Sequence, residues 1–507
     1  MKSLRELWKS FKIFFKGRKA KPLSDSYKDE EVSTTSRIDN KKRTETRGQV
    51  IRRKQKKAYL QVGLDFGTST TKVVYSQLDR RGSRVINFNH NLPNYPNYCL
   101  PSLGAIDDSG KLLLGIEAAK FLSDKEWDLG LQRFKVIVAG NHDLSFKDHL
   151  SHEKFYAYLK SRGYGTQFTP ERLTAVYIAY AMNRCRSIIR RLPEYRNAEL
   201  DIAFNICIPI DHIENNILNS VFKKIFSLAE RIEQDWRKSG KGFDPLEASY
   251  YSENKSHKLE KRVFAVPEAV AAMASYLISL RKKEGLHAII DLGAGTTDVS
   301  ICNLSILSGK ATNYWYAARN IPQGTINIER VVAHFIKECD KGSLCTCCDV
   351  YNCLNNLRLN EFQSLRSDKK REQLIANIFD EISGLKDSGE YKETWGSAYR
   401  HLKTQTKWKK VEIFLCGGGA NLPHVEDVFS IPWWKNIKTK YAVSRLPTPD
   451  DYDAGESAAP FERMAVAYGL ARPTPELEDY VLPDKVGDHT PPPLPVREFD
   501  CDELYPK

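Results

Sequence analysis

Two short stretches of this chain carry the residue types that phosphate and metal chemistry require. Residues 65–73 read DFGTSTTKV and residues 291–299 read DLGAGTTDV. Aligned on their first aspartates, they share Asp, Gly, Thr, Thr and Val at the same spacing. Each follows apolar strand residues, Val62 and Leu64 in one case and Ala288, Ile289 and Ile290 in the other. Gly67, Gly293 and Gly295 let the backbone approach a ligand closely and turn sharply. Successive N–H groups of such a turn form an anion-binding concavity, to which the hydroxyls of Thr68, Ser69, Thr296 and Thr297 add donors. An aspartate at each strand end, Asp65 and Asp291, would hold Mg²⁺ through waters, because this ion keeps much of its hydration. A single turn of this kind also serves an ordinary hairpin. Two matching copies point to two similar halves facing one cleft.

A third stretch, VEIFLCGGGANLPHVEDVF (411–429), reads as a strand, a turn at Gly417, Gly418 and Gly419, and a helix starting between Asn421 and Pro423. Bare backbone of this kind suits a nucleotide base and ribose lying flat. The segment CDKGSLCTCCDVYNC (339–353) packs Cys339, Cys345, Cys347, Cys348 and Cys353 together. Four converging thiolates would hold Zn²⁺. The spacing is not the paired C-x-x-C of established zinc folds, so redox-sensitive or buried thiols are the alternative. Cys99, Cys185, Cys207, Cys302 and Cys416 sit in apolar runs and read as core.

The elements that must position these groups follow from patterning. Strand and helix signals alternate from Tyr59 to about Arg472, which predicts an α/β body. The length of 507 residues exceeds one small core and predicts two or more lobes. The expected divisions are lobe I at 58–265 and lobe II at 266–472, with a variable outer subdomain at about 337–405. A Pro-rich tail is expected at 473–507; its Pro492, Pro495 and Arg497 fit a polyproline ligand or a solvated spacer. Of the formal net charge of +13, residues 1–57 hold most, with 19 Lys/Arg against 7 Asp/Glu. The body is therefore nearly neutral, which argues against nucleic acid binding there. Residues 1–21 read as a basic amphipathic helix: Leu4, Leu7, Trp8, Phe11, Phe14 and Phe15 form an apolar face among lysines. Such a helix lies in an anionic membrane surface through residues 1–16, or docks on protein. Residues 22–57 read as a flexible basic linker. No run of 18 apolar residues suggests a membrane span. The lack of a signal-peptide pattern and the free-thiol usage fit the cytoplasm, with peripheral attachment to its membrane face.

The three turn stretches, in this order, resemble the phosphate-1, phosphate-2 and adenosine motifs of the actin, sugar-kinase and heat-shock-chaperone ATPase superfamily. Further segments are similar to the nucleotide-binding domain of DnaK-type (seventy-kilodalton) heat-shock chaperones. They are LPSLGAIDDSGKLLLGIEAAKFL (100–122), LQRFKVIVAG (131–140), FTPERLTAVYIAYAMNRC (168–185), DIAFNICIPIDH (201–212), IPQGTINIERVVAHFI (321–336) and MAVAYGLA (464–471). The resemblance covers about 59–472. It implies a two-lobed actin-like α/β fold of duplicated ribonuclease-H-like subdomains, with ATP or ADP and Mg²⁺ in the cleft. It gives Asp65 and Asp291 metal-water roles and Asp298 an electrostatic or water-positioning role. Lys135 would contact the γ-phosphate and the attacking water. The turn residues named above, together with Gly324 and Asn421, would contact the nucleotide.

Departures from that pattern shape the expected function. Where the chaperones have the glutamate of a Glu-Pro pair, this chain has Val266, with Glu268 two residues later. Glu268 either replaces the missing acid or is simply a favourable acid in a first helical turn. Lys72 is more like sugar kinases and the plasmid-segregation or pilus actin homologues. Arg463 and Met464 stand where chaperones have acids. The 35 residues after Arg472 are too few for a peptide-binding domain. The expectation is an ATP-binding, weakly hydrolysing DnaK-like protein that switches a protein partner, attached peripherally to membrane. The alternatives are a membrane-attached actin-like filament-forming ATPase and a small-molecule kinase of the same superfamily.

Overall fold

A computed structural model describes residues 57–92, 95–123, 130–142, 153–165, 168–251, 261–307, 309–339, 368–473, 477 and 479–486. All of these lie in one compact unit, Gln55–Lys507. The N-terminal helix and nearly all of the basic linker, Cys345, Cys347, Cys348, Cys353 and the Pro492–Arg497 motif lie outside the described residues. Among the described residues, no helix is long and apolar enough to cross a membrane.

The apolar run before Asp65 becomes β1 (Lys57–Phe66), of which only the first and third residues escape burial. It pairs antiparallel with β2 (Thr70–Gln77), and β2 pairs antiparallel with β3 (Ser83–Val85) and β4 (Cys99–Pro101). A small antiparallel sheet follows, made of β5 (Leu103–Ile106), β6 (Leu112–Leu114) and β7 (Gly130–Gln132). On its other side β1 runs parallel to β8 (Glu199–Ile208), which runs parallel to β9 (Val263–Pro267). The second large sheet centres on β10 (Gly285–Leu292), antiparallel to β11 (Thr297–Leu307), itself antiparallel to β12 (Lys310–Ile321). Across β10 lies β13 (Glu412–Cys416), parallel, and then β14 (Ala442–Arg445), also parallel. The short β15 (Tyr452–Asp453) joins β3, and β16 (Asp479–Val481) joins β12.

The two large sheets therefore repeat one topology. The order β3, β2, β1, β8, β9 matches β12, β11, β10, β13, β14, with the same sequence of antiparallel and parallel pairings. Strands buried on both faces need near-continuous apolar sequence, and both central strands have it. The boundary expected at 265/266 falls inside β9, and β15 returns the chain to the first sheet after Asp451. Within the expected tail, residues 479–481 form the sixth strand of the second sheet, and the flanking Leu477 and Leu482 are buried.

Each sheet has its own core. Leu64, Phe66, Phe134, Tyr177 and Phe204 pack under the first. The helix Pro170–Arg191 that supplies Tyr177 starts where Thr169 accepts a hydrogen bond from Arg172 N and Pro170 occupies the first turn. Ile290, Leu415, Trp395 and Trp408 pack under the second sheet. A third cluster joins the two, built on the helices Glu268–Ile278 and Phe461–Leu470 with Met273, Tyr276, Phe414 and Tyr468.

One buried acid makes stability depend on pH. Glu230, on the helix Asn216–Ser239, accepts hydrogen bonds from the backbone N–H groups of Arg262 and Val263 at the start of β9. Burial pushes its carboxyl from 4.5 up to about 7. Between these values the folded chain keeps a proton that the unfolded chain has lost, so stability falls as pH rises through this window. Glutamine accepts the same two hydrogen bonds without ionising. Glu230→Gln is expected to stabilise the protein by ~1–3 kcal/mol at pH 8 and to give no gain at pH 4.5. Urea unfolding at both pH values checks this, and a gain equal at both would contradict it.

Candidate functional site

The repeated topology brings the two aspartate turns to the same end of equivalent strands. In the first hairpin Asp65 stands opposite Lys72; in the second, Asp291 stands opposite Asp298. Both turns begin with the same contact, Gly67 N to Asp65 O at 3.0 Å and Gly293 N to Asp291 O at 3.1 Å. The tips face each other: a Cβ placed on Gly295 would lie 2.7 Å from Thr68 Cγ2. Thr68 is buried there, while Ser69 is exposed at the tip. The register swaps a lysine for an aspartate between otherwise similar hairpins, so one jaw is charge-paired and the other is acidic.

Two buried ion pairs organise the floor. Lys72 Nζ lies 2.5 Å from Asp65 Oδ2, and Asp65 is only 2% exposed. Lys135, in the first turn of the helix Phe134–Gly140, lies 2.7 Å from Glu268 Oε2 at the start of the helix Glu268–Ile278. Val266, which occupies the expected acid position, packs into the core, and Glu268 reaches the site from the following helical turn. Asp298 Oδ1 accepts a 2.8 Å hydrogen bond from Asn320 Nδ2 on β12. Glu268, Asp291 and Asp298 line one small cavity beside Pro209.

Four carboxylates thus gather around two ammonium groups. Burial opposes the charge on both lysines, yet Asp65 holds Lys72 and Glu268 holds Lys135 above the usual lysine range. Burial, then Glu268, pushes Asp291 up to about 7, with Lys72 pulling the other way. Asp298 is driven well above the ordinary carboxylate range by burial and by Glu268. When all four acids ionise, two negative charges are left over. A divalent cation would match that deficit and the oxygen donors present, and Asp65 and Asp291 are the carboxylates that would hold Mg²⁺.

The glycine turn completes the surround. Gly417 adopts φ +86°, and any Cβ there would overlap Asp291 Oδ1 and lie 2.6 Å from Leu292 O. Its N–H donates to Glu462 O, and Gly419 N–H donates to Leu292 O. The turn is therefore seated directly on the Asp291 strand. The next helix begins at Val425 rather than near Asn421, because the chain passes through a left-handed residue, His424 at φ 61°, immediately before it; the Asn421 amide donates to the Glu462 carboxylate. Gly324 abuts the tip of the second hairpin, where Thr325 N and Ile326 N bond Gly293 O and Ala294 O. Thr297 turns inward, its buried hydroxyl donating to Gln323 O at 2.8 Å, so it braces the loop instead of offering a donor to a ligand. Thr296 is buried beside it. Cys339 closes the helix Thr325–Cys339, far in sequence from these groups.

Three neighbours escaped the sequence reading. Cys207 Sγ lies 3.5 Å from Asp65 Oδ1. Cys416 is paired in register with Asp291 and hydrogen-bonds it. Both had read as core, and their position at the ends of β8 and β13 was the available signal. Asn320 gave none, since a lone asparagine in a strand has no pattern. Arg463 donates from its guanidinium to the Tyr98 hydroxyl at 2.9 Å and to Cys99 Sγ at 3.8 Å. No family model matches this chain, and no curated protein matches it.

Proposed function

We propose that this chain is a DnaK-like ATP-binding protein of actin-like, two-lobed architecture, which hydrolyses ATP slowly and acts as a nucleotide-dependent switch on a protein partner. The observation that carries this reading is the duplicated strand order, which places Asp65 and Asp291 at equivalent positions of two hairpins whose tips meet. Phosphoryl transfer needs positioned charge more than covalent catalysis, and the site supplies positioned charge. Mg²⁺, when bound, would neutralise phosphate charge beside Asp65 and Asp291. Lys72, paired with Asp65, and Lys135, paired with Glu268, would offer ammonium groups to the phosphates. The backbone at Gly67, Gly293 and Gly295 cradles phosphate oxygens, and Gly417–Gly419 offers a flat surface to adenosine. Glu268 and Asp298 are placed to orient a water. Glu268 is shared with Lys135, which fits slow hydrolysis.

The full chain is expected to bind ATP by calorimetry with Mg²⁺ and to lose most affinity with EDTA. Asp291→Ala would remove one metal-holding carboxylate, an effect of roughly 2–3 kcal/mol or about 30–140-fold in Kd. Equal affinity in the variant, or no ATP binding by the parent, would sink the proposal.

A further inference from the structure

The two halves share a feature that Mg²⁺ chemistry does not call for. In each sheet the aspartate at the turn has a cysteine beside it on the adjacent parallel strand: Cys207 for Asp65 and Cys416 for Asp291. Both thiols are about 1% exposed. Around the first of them, one donor atom each from Asp65, Cys207 and Glu268 lies within 4.8 Å of the others. Ligands on a tetrahedral ion with bonds of about 2.0–2.3 Å sit roughly 3.3–3.8 Å apart, so closure needs side-chain shifts of about an ångström. Mg²⁺ prefers six oxygens and gains little from sulfur. Zinc-like ions take thiolate and carboxylate together, and a set of three protein ligands with an open fourth position is a familiar arrangement for them.

We propose that Asp65, Cys207 and Glu268 form a thiophilic divalent-metal site of the Zn²⁺/Cd²⁺ class, whose occupation shuts the cleft to Mg²⁺ and nucleotide. The metal–sulfur bond replaces the Cys207 S–H bond, and the proton leaves to solvent. No oxidant or reductant takes part. Glu268 turns from Lys135 toward the ion, and Asp65 shares its carboxylate between the ion and Lys72. Both carboxylates are then withdrawn from phosphate chemistry. Only this shutting of the cleft rests on the nucleotide-binding reading; the metal site itself follows from the donor set.

The test uses the full chain with Cys339, Cys345, Cys347, Cys348 and Cys353 all changed to Ser, so that those thiols contribute nothing. Cd²⁺ is titrated without nucleotide, following equilibrium dialysis and the thiolate-to-cadmium charge-transfer absorbance in the ultraviolet. One tightly held Cd²⁺ per chain with that absorbance is expected, and millimolar Mg²⁺ should not displace it. Cys207→Ser should remove the absorbance, and Glu268→Gln should keep it while weakening Cd²⁺ by more than about tenfold. Cys416→Ser should leave the band in place. Thermal melts check that each variant folds, and Glu268→Gln, which keeps the thiol, tests the site if Cys207→Ser does not fold. Absence of the band in the parent, or its persistence in folded Cys207→Ser, overturns the inference. A second calorimetric series, Mg-ATP into Cd²⁺-loaded protein, should show at least a tenfold loss of affinity. If the parent binds Cd²⁺ through Cys207 but never binds ATP, the nucleotide reading alone fails. If it binds ATP but not Cd²⁺, the metal inference alone fails.

Discussion

Gly469→Val is expected to abolish the stable fold, with a loss above ~4 kcal/mol, near the limit for single substitutions. Gly469 lies where the helix Phe461–Leu470 crosses the helix Glu268–Ile278. A Cβ there would overlap the backbone oxygen of Ala271 and lie 2.6 Å from its carbonyl carbon. Backbone cannot rotate aside as a side chain can, so the two helices would have to part. The opposite side of the same helix is equally close, since a Cβ on Gly63 of β1 would overlap Ala467 O. The helix is thus wedged between the first sheet and the helix of the third core cluster, with no slack in either direction. Overpacking of an ordinary core costs about 1–3 kcal/mol because neighbours shift; here the neighbour is main chain on both sides. Soluble yield and urea unfolding of Gly469→Val against the parent give the measurement. A variant that unfolds within 0.3 M urea of the parent would show that the crossing is not as close as described.

The second large effect concerns the buried pair Lys135–Glu268. Lys135→Met is expected to destabilise the nucleotide-free protein by about 3–5 kcal/mol, because it leaves Glu268 buried among Asp291 and Asp298 with no cation. Adding Glu268→Gln removes the stranded charge, so the double variant should recover most of that loss. The pair lies 6% and 10% exposed at its side chains, so solvent screening does little to soften the effect. Both variants should bind nucleotide weakly. Stability therefore separates a general packing fault from a specific electrostatic one. A double variant no more stable than Lys135→Met would contradict the account.

Much of the α/β body is legible in the sequence. The strands before Asp65 and before Gly417 are visible as apolar runs ended by turn residues, while the helix Pro170–Arg191 is foreshadowed only by the resemblance of 168–185. These signals are local, and local backbone chemistry sets them. The boundaries of the halves were less legible, because β15 and β16 are two and three residues long and owe their pairing to distant strands. Short edge strands carry almost no period of their own.

The site divides the same way. Sequence alone determined that two aspartate-led glycine turns and one glycine-rich strand end exist, because residue type and spacing along the chain carry that information. Only the tertiary structure decided which charges face each other. It placed Lys72 on Asp65 and Lys135 on Glu268, turned Thr297 inward, and set Cys207 and Cys416 beside the two aspartates. Those pairings depend on strand register and on helices brought together from more than a hundred residues apart, Lys135 and Glu268 being separated by 133 positions. Electrostatic energy depends on distance in space, and the linear order of the chain does not encode that distance.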